Sequence, residues 1–286
     1  MRTHARPPRV PSSTPTPVTA TPPPDPSAAD PRSVADRLRL DGRVAVVTGA
    51  SRGIGLAIAR ALAEFGARVV VSSRRQEGVD AAAASIRAAG GEATGVAAHA
   101  GDPAQLGRLV DATVARYGGV DVVVNNAAAN PVFGPVADQG ADAFAKVMAV
   151  NVQGPLELAR LAYPHMRARG GGSVVNIASV GGLTPEPGLG LYSVSKAALV
   201  SLTKVLAAEW GRDGVRANVV CPGLIKTKFS EALWGDERLV RRMLARQPVQ
   251  RVGDPEDVAG LVLFLASDAA AYCTGGVYTA DGGYTI

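Results

Sequence analysis

The sequence predicts an α/β protein on a doubly wound parallel sheet, folded as a single domain with a small helical lid. Three observations predict it. From residue 41 onward, short Val/Ile-rich runs alternate with longer Ala/Leu-rich stretches of helical period. The short runs are continuously apolar rather than alternating, as strands are when helices cover both faces of their sheet. A glycine-rich turn joins the first run to the first helical stretch. With 47% hydrophobic and 19% charged residues in 286, the composition provides one well-filled core and excludes a disordered or fibrous protein.

The elements follow in order. Residues 1–36 stand apart, because ten of the 20 prolines fall between Pro7 and Pro31, among Ser, Thr and Ala. Such a segment lacks amide donors and has little to bury, so a disordered tail is expected. Six Arg against three Asp in residues 1–40 leave +3 there, while the other 246 residues, with 24 bases and 22 acids, carry +2. The pI near 9.5 therefore comes mostly from the tail and does not mark a nucleic-acid-binding face. The early arginines resemble a transit peptide, but Pro7, Pro8 and Pro11 would break the amphipathic helix it needs. Two cysteines, Cys221 and Cys273, make no disulfide framework and suit the reducing cytoplasm. No run of 18 apolar residues occurs, so no membrane span is expected. His4, His99 and His165 show no metal-ligand spacing, and no metal is expected.

Within 41–286, strands are expected at 43–47, 67–72, 92–97, 120–124, 173–177, 215–220 and 277–279. Helices are expected at 53–65, 77–89, 103–117, 141–169, 192–211 and 255–266. Residues 226–250 break the alternation. They carry Phe229, Leu233 and Trp234 and the cluster Arg238, Arg241 and Arg242. An insertion at the ligand end of such a sheet reads as a substrate lid. Its arginines read as a solvated helix face, with an acidic substrate as the alternative.

The first chemical motif is Thr48-Gly49-Ala50-Ser51-Arg52-Gly53-Ile54-Gly55. Gly49 permits the tight turn, Gly53 lets the backbone approach a pyrophosphate, and Gly55 allows close packing. The helix start then presents free N–H groups to the anion. This is a Rossmann-type dinucleotide site, with Ser51, Arg52 and Ile54 in the same loop. At the end of the next strand, about 20 residues on, an NAD site would place a carboxylate on the ribose hydroxyls. Here Ser73 is followed by Arg74. A hydroxyl and a guanidinium suit a 2′-phosphate, and Arg52 reaches it from the glycine loop, so NADP(H) is expected. Arg75 reads as a solvated loop charge.

In Tyr192-Ser193-Val194-Ser195-Lys196, Tyr192 and Lys196 share one helix face. A phenol near pKa 10 is a poor acid or base at neutral pH, and an adjacent ammonium together with a bound nicotinamide cation would stabilise its anion. Ser179 ends the fifth strand, thirteen residues earlier. Asn125-Asn126-Ala127-Ala128 follows the fourth strand, where amides can brace sheet and cofactor. Asn151, among apolar neighbours, asks for a buried partner. Pro222-Gly223-Leu224-Ile225-Lys226-Thr227 leaves the sixth strand near a nicotinamide position.

These motifs, in this order and spacing, resemble the short-chain dehydrogenase/reductase family across residues 41–286. Stretches 69–76, 125–134 and 221–234 are most similar to its NADPH-dependent carbonyl reductase and retinol dehydrogenase branch, known from peroxisomes in animals. The resemblance implies Tyr192 as proton donor or acceptor, Lys196 lowering its pKa and binding the nicotinamide ribose, and Ser179 orienting the carbonyl. Asn151 would hold a water in the proton path. Gly49, Ser51, Arg52, Gly53, Ile54, Gly55, Ser73, Arg74, Asn125, Ala127, Tyr192, Lys196, Pro222, Gly223, Ile225 and Thr227 would bind cofactor. Phe133, Leu189, Leu233 and Trp234, with Ser179, would form the substrate wall and suit a bulky, apolar carbonyl. Ala128 replaces the family's usual Gly. His99 stands where an Asp commonly meets adenine. The C-terminal Tyr284-Thr285-Ile286 is not a peroxisomal signal.

The expected activity is hydride exchange between NADP(H) and a ketone or aldehyde, or the corresponding secondary alcohol. The alternatives are a 3-oxoacyl carrier-protein reductase and a sugar or polyol dehydrogenase, the latter disfavoured by the NADP-type strand end. A non-catalytic dinucleotide sensor is disfavoured because all four catalytic positions are filled. A homodimer or homotetramer through 141–169 and 192–211 is implied by the resemblance, with a small-molecule substrate and no nucleic-acid partner.

Overall fold

In the computed structural model, seven strands form one wholly parallel sheet in the order β3-β2-β1-β4-β5-β6-β7. They are β1 Val44–Thr48, β2 Arg68–Ser73, β3 Glu92–Ala97, β4 Val122–Asn125, β5 Gly172–Ile177, β6 Val215–Pro222 and β7 Val277–Ala280. The structure describes residues 32–130 and 133–286. The expected tail up to residue 31 lies outside the described residues, and Ser33–Ile286 is one compact unit.

Strand side chains alternate across the sheet, and the burial follows that period. Val44 and Val46 join one core with Leu106, Leu109, Leu158 and Met166, while Ala45 and Val47 join another with Ile58, Leu62, Ile86 and Val262. Helices α4 Pro103–Tyr117, α6 Gly154–Ala168 and α7 Gly190–Trp210 thus cover one face. Helices α2 Gly53–Glu64, α3 Gln76–Ala88 and α10 Pro255–Ala266 cover the other. Both faces are dry, which explains the continuous apolar runs.

The chain winds outward from β1 to β3, then returns to place β4 beside β1. That reversal is the switch point beyond whose carboxyl strand ends such sheets bind ligands. The stretch 190–213 is long and apolar enough to cross a bilayer by length and composition. It nonetheless packs on β6 and buries Ser193, Ser195, Lys196 and Thr203.

Two expectations are corrected. The tail was drawn to residue 36, but helix α1 Val34–Leu38 starts earlier, capped by Ser33 in a reciprocal capping box with Asp36. Arg37 ties it to the Asp268 carbonyl. The helix expected at 141–169 is three pieces: α5 Ala141–Met148, a π-helical turn Ala149–Gln153, and α6. Pro155 supplies a cause, since it has no N–H for the carbonyl four residues back, that of Asn151. The lid carries two short helices, α8 Glu231–Trp234 and α9 Glu237–Leu244. Asp236 caps α9 by accepting from the N–H groups of Arg238 and Leu239.

Candidate active site

The glycine loop leaves β1 and turns into α2 beneath the carboxyl end of β4. Gly49 and Gly53 take positive φ of 63° and 57°, which side-chain-bearing residues avoid. A Cβ on Gly55 would lie 2.5 Å from Asn126 Nδ2 and 2.6 Å from the Gly49 carbonyl oxygen. Asn126 Nδ2 donates to the Thr48 and Gly49 carbonyls at 2.9 and 3.1 Å, and Thr48 Oγ1 accepts from the N–H groups of Asn126 and Ala127. The loop is therefore held from β4 and opens outward at the start of α2.

Ser51 and Ser73 meet at the mouth of this cradle, Oγ to Oγ at 3.2 Å. Arg52 and Arg74 are exposed beside them, and neither forms an ion pair among the described residues. No carboxylate closes the end of β2. A narrow glycine cradle at a helix start fits a dinucleotide, and the two guanidiniums stand at its rim. The turn after β6 covers it from above, since Thr227 Cγ2 would sit 3.3 Å from a Cβ on Gly53. Gly223 donates its N–H to the Ala280 carbonyl, and Ile225 puts its side chain into the core. Pro222 ends β6.

Asn125 braces the sheet, the first of the two roles expected of these amides. Its buried amide donates to Asn176 Oδ1 at 2.8 Å and more weakly to the Pro155 carbonyl. It ties β4 to β5, while the Asn126 amide holds the glycine loop. His99 is also committed locally, since its Nδ1 accepts from the Gly101 N–H at 3.1 Å.

Tyr192, Lys196 and Ser179 converge across β5, the turn after it and α7. Lys196, 2% exposed, donates from Nζ to the Ile177 carbonyl at 2.8 Å and lies 5.5 Å from the Tyr192 ring centroid. Ser179 caps the short 3-10 turn Val180–Gly182 by accepting from the Gly181 N–H, with its hydroxyl near enough to the Tyr192 phenol to favour the phenolate. Asn151 finds the buried partners it required. Its Oδ1 accepts from the Ala129 N–H at 2.8 Å, and its Nδ2 donates to the Ala129 carbonyl and Ser195 Oγ. Ser195 in turn donates to the Tyr192 carbonyl at 2.7 Å. The Asn151 side chain thus ties Ala129 to the first turn of α7.

Burial is the largest influence on the titration of both Tyr192 and Lys196. Burial pushes the Tyr192 phenol up to about 12, and the Ser179 hydroxyl opposes it without winning. Burial pulls the Lys196 ammonium down to about 8. Cys221, beneath them on β6, is itself pushed up to about 11 by burial. Each of the three shifts is set first by desolvation, which disfavours the charged form. At neutral pH Tyr192 accordingly holds its proton, the state a proton donor requires.

The expected substrate wall is assembled from separate segments. Phe133, 63% exposed, lies against Gly188, and Leu189 bridges Gly134 at the start of α7. Leu233 and Trp234 sit half-buried on α8. The Trp234 indole N–H donates to the Thr227 carbonyl at 2.7 Å, pinning the lid's root. The lid residue that meets Tyr192 is Phe229, with ring centroids 6.2 Å apart. Asn126, Ser195 and Phe229 all stood within motifs or stretches named from sequence. Which neighbour each would touch is set by tertiary packing and has no local sequence signal.

Comparison with known proteins agrees with this geometry. A sequence-family model described as Enoyl-(Acyl carrier protein) reductase matches residues 49–285. The Sus scrofa protein named dehydrogenase/reductase SDR family member 4 is 46% identical over 247 residues, covering 86% of this chain and 88% of its own. A gluconate 5-dehydrogenase from Burkholderia cenocepacia, solved in complex with NADP and tartrate, is 36% identical. Its TM-score is 0.85, with 88% of this chain and 99% of that one covered. A short-chain type dehydrogenase/reductase from Mycobacterium marinum is 35% identical at a TM-score of 0.84, covering 89% and 100%. The chain belongs to the short-chain dehydrogenase/reductase family of nicotinamide-dependent oxidoreductases.

Proposed function

We propose that this protein is a cytoplasmic, NADP(H)-dependent reductase of bulky, apolar ketones and aldehydes, reversible with the secondary alcohols. The observation that carries the reading is the convergence of a protonated Tyr192, Ser179 and the buried Lys196 beside a cradle rimmed by the unpaired Arg52 and Arg74. When bound, NADPH supplies the hydride, from its nicotinamide C4 to the carbonyl carbon. The guanidiniums of Arg52 and Arg74 bind the 2′-phosphate. Ser179 donates to the carbonyl oxygen and orients it. Tyr192 releases its phenolic proton to that oxygen as it becomes alkoxide, and Lys196 stabilises the resulting phenolate and holds the ribose.

The substrate class follows from the wall. Phe133, Leu189, Phe229, Leu233 and Trp234 offer apolar surface. The gluconate 5-dehydrogenase solved with NADP removes one argument against a sugar-type substrate, because an NADP site and a sugar-acid dehydrogenase coexist there. The apolar wall remains the argument that favours a hydrophobic carbonyl. The 3-oxoacyl carrier-protein alternative draws on the exposed Arg238, Arg241 and Arg242. Turnover with NADPH across aryl ketones, aldehydes, retinal, 3-oxoacyl thioesters and 5-ketogluconate separates the three. Preference for aryl ketones or retinal supports the proposal, and preference for the thioester or the sugar acid overturns it.

A second copy of the chain is the proposed partner. Val194 and Val205 are 53% and 47% exposed and eleven residues apart on α7, within about 20° on one helical stripe. Phe144 and Leu156 add exposed apolar surface on α5 and α6. Light scattering on Val205→Glu tests this, with a monomer expected and an unchanged oligomer contradicting it.

A further inference from the structure

The segment 183–189, Leu-Thr-Pro-Glu-Pro-Gly-Leu, joins the Ser179 turn to α7 and carries the substrate side of the site. Its backbone meets the other wall loop, with the Gly134 N–H donating to the Gly188 carbonyl at 3.0 Å. Gly188 has a φ of 87°, and a Cβ there would stand 3.1 Å from the Phe133 ring, so this loop sets where Phe133 lies. The groove between the two loops is lined by Phe133, Pro135, Val136 and Pro187, with Glu186 as its titratable group. A carboxylate in such a groove would repel an apolar substrate unless it were engaged elsewhere.

It is engaged. The Tyr284 hydroxyl donates to Glu186 Oε1, and among the described residues this is the one side-chain hydrogen bond from the loop to the rest of the protein. Tyr284 is 7% exposed, and burial, with the adjoining carboxylate, pushes its phenol up, so it remains a donor. The segment bearing Tyr284 is fixed from three sides. Asp281 accepts from the Gly283 and Thr285 N–H groups and from Thr285 Oγ1. The Ala280 carbonyl accepts from Gly223 in the cofactor-covering turn. The Arg246 guanidinium, just past the lid helix α9, lies 5.4 Å from the Tyr284 ring centroid.

We propose that Tyr284 and Glu186 are positioning residues that set the substrate wall, with the C-terminal segment holding loop 183–189 in place and occupying its carboxylate with the Tyr284 hydroxyl. The proposal rests on reading the Tyr192 site as a carbonyl-reducing one, and it assigns the C-terminus a part in substrate selection rather than in chemistry. Neither residue touches the reacting atoms.

Tyr284→Phe removes the donor and keeps the ring, whereas Glu186→Gln keeps an acceptor at the same place. Two readouts on the full chain decide the matter: backbone hydrogen exchange of residues 183–189, and steady-state kinetics with an aryl ketone beside an NADPH titration. In Tyr284→Phe, exchange in 183–189 is expected to rise by about tenfold, as one lost hydrogen bond to a charged acceptor allows. The KM for ketone should rise by a similar factor, with kcat and NADPH affinity unchanged, and Glu186→Gln should stay close to the parent in both. Unchanged exchange and KM in Tyr284→Phe overturn the proposal, as does an equal loss of NADPH affinity. If the parent protein reduces no carbonyl, the carbonyl reading falls, while the exchange measurement still decides the tether.

Discussion

The two halves of the sheet's ligand end are built on opposite principles. On the cofactor side, β1, β2 and β4 hold the glycine loop through the Ala50 N–H to Ser72 carbonyl bond and through the Thr48 and Asn126 side chains, each bound to neighbouring main chain. On the substrate side, Phe133, loop 183–189, α8 and the C-terminal segment come from four distant stretches and meet through single contacts, one backbone bond from Gly134 to Gly188 and otherwise side chains. The first half has almost no room to vary, so its chemistry is fixed. The second is an assembly of separately adjustable pieces, which is where one fold acquires different substrates.

That contrast is broken or sharpened first at Gly55. Gly55→Ala places a methyl on the Gly49 carbonyl and the Asn126 amide, so a loss of about 3 kcal/mol in stability is expected, together with loss of NADPH binding. Chemical denaturation and NADPH fluorescence measure both. A stable variant that binds NADPH normally would show that the cradle is less rigid than its contacts indicate.

Lys196 tests the electrostatics of the same half. Its folded-state value of about 8 lies below the ordinary 10.5, so the unfolded chain binds the extra proton between those pH values. The stability Lys196 withholds below pH 8 is therefore recovered as pH rises toward 10.5. The gap between the parent and Lys196→Met should move by about 3 kcal/mol in the parent's favour across that window. Paired denaturation curves at the two ends check it, and a constant gap would mean that Lys196 is not desolvated.

How much of this was legible in the sequence follows the same division. Apolar runs and helical periods located all seven strands, and 92–97, 103–117 and 255–266 match their elements residue for residue. Glycine spacing and the Tyr192–Lys196 pair are local, so the glycine cradle and the shared helix face of that pair could be read directly. The π turn at 149–153 was hidden because Asn151 and its neighbours keep a helical pattern, and only Pro155 hints at the break. Asn125 and Asn126 are adjacent and chemically identical, and only the pleat decides which braces the sheet and which holds the loop. The direction of the Tyr192 shift depends on burial that no spacing reveals. Phe229 over Tyr192, and Tyr284 on Glu186, join residues 37 and 98 positions apart, and nothing in either stretch announces its partner.

The next prediction concerns cofactor choice. Arg74→Asp replaces a free guanidinium with a carboxylate, and the NADPH-to-NADH ratio of kcat/KM should fall by roughly tenfold or more. An unchanged ratio would mean that Arg74 does not meet the phosphate. The smallest effect is expected in the adjustable half. Phe133→Ala, at an exposed position, should leave stability within about 0.5 kcal/mol and raise KM for an aryl ketone, with NADPH affinity untouched. A change in NADPH affinity would dissolve the separation between the two halves.

The central claim is that Tyr192 delivers the proton in an NADPH-dependent carbonyl reduction, and Tyr192→Phe tests it most directly. NADPH is titrated into the parent and the variant, and an aryl ketone is then added while NADPH consumption is followed. The account predicts equal NADPH affinity for the two proteins and a fall in turnover of about 10²- to 10⁴-fold in the variant, the range for a lost general acid. Turnover retained by the Phe variant with NADPH bound would contradict it.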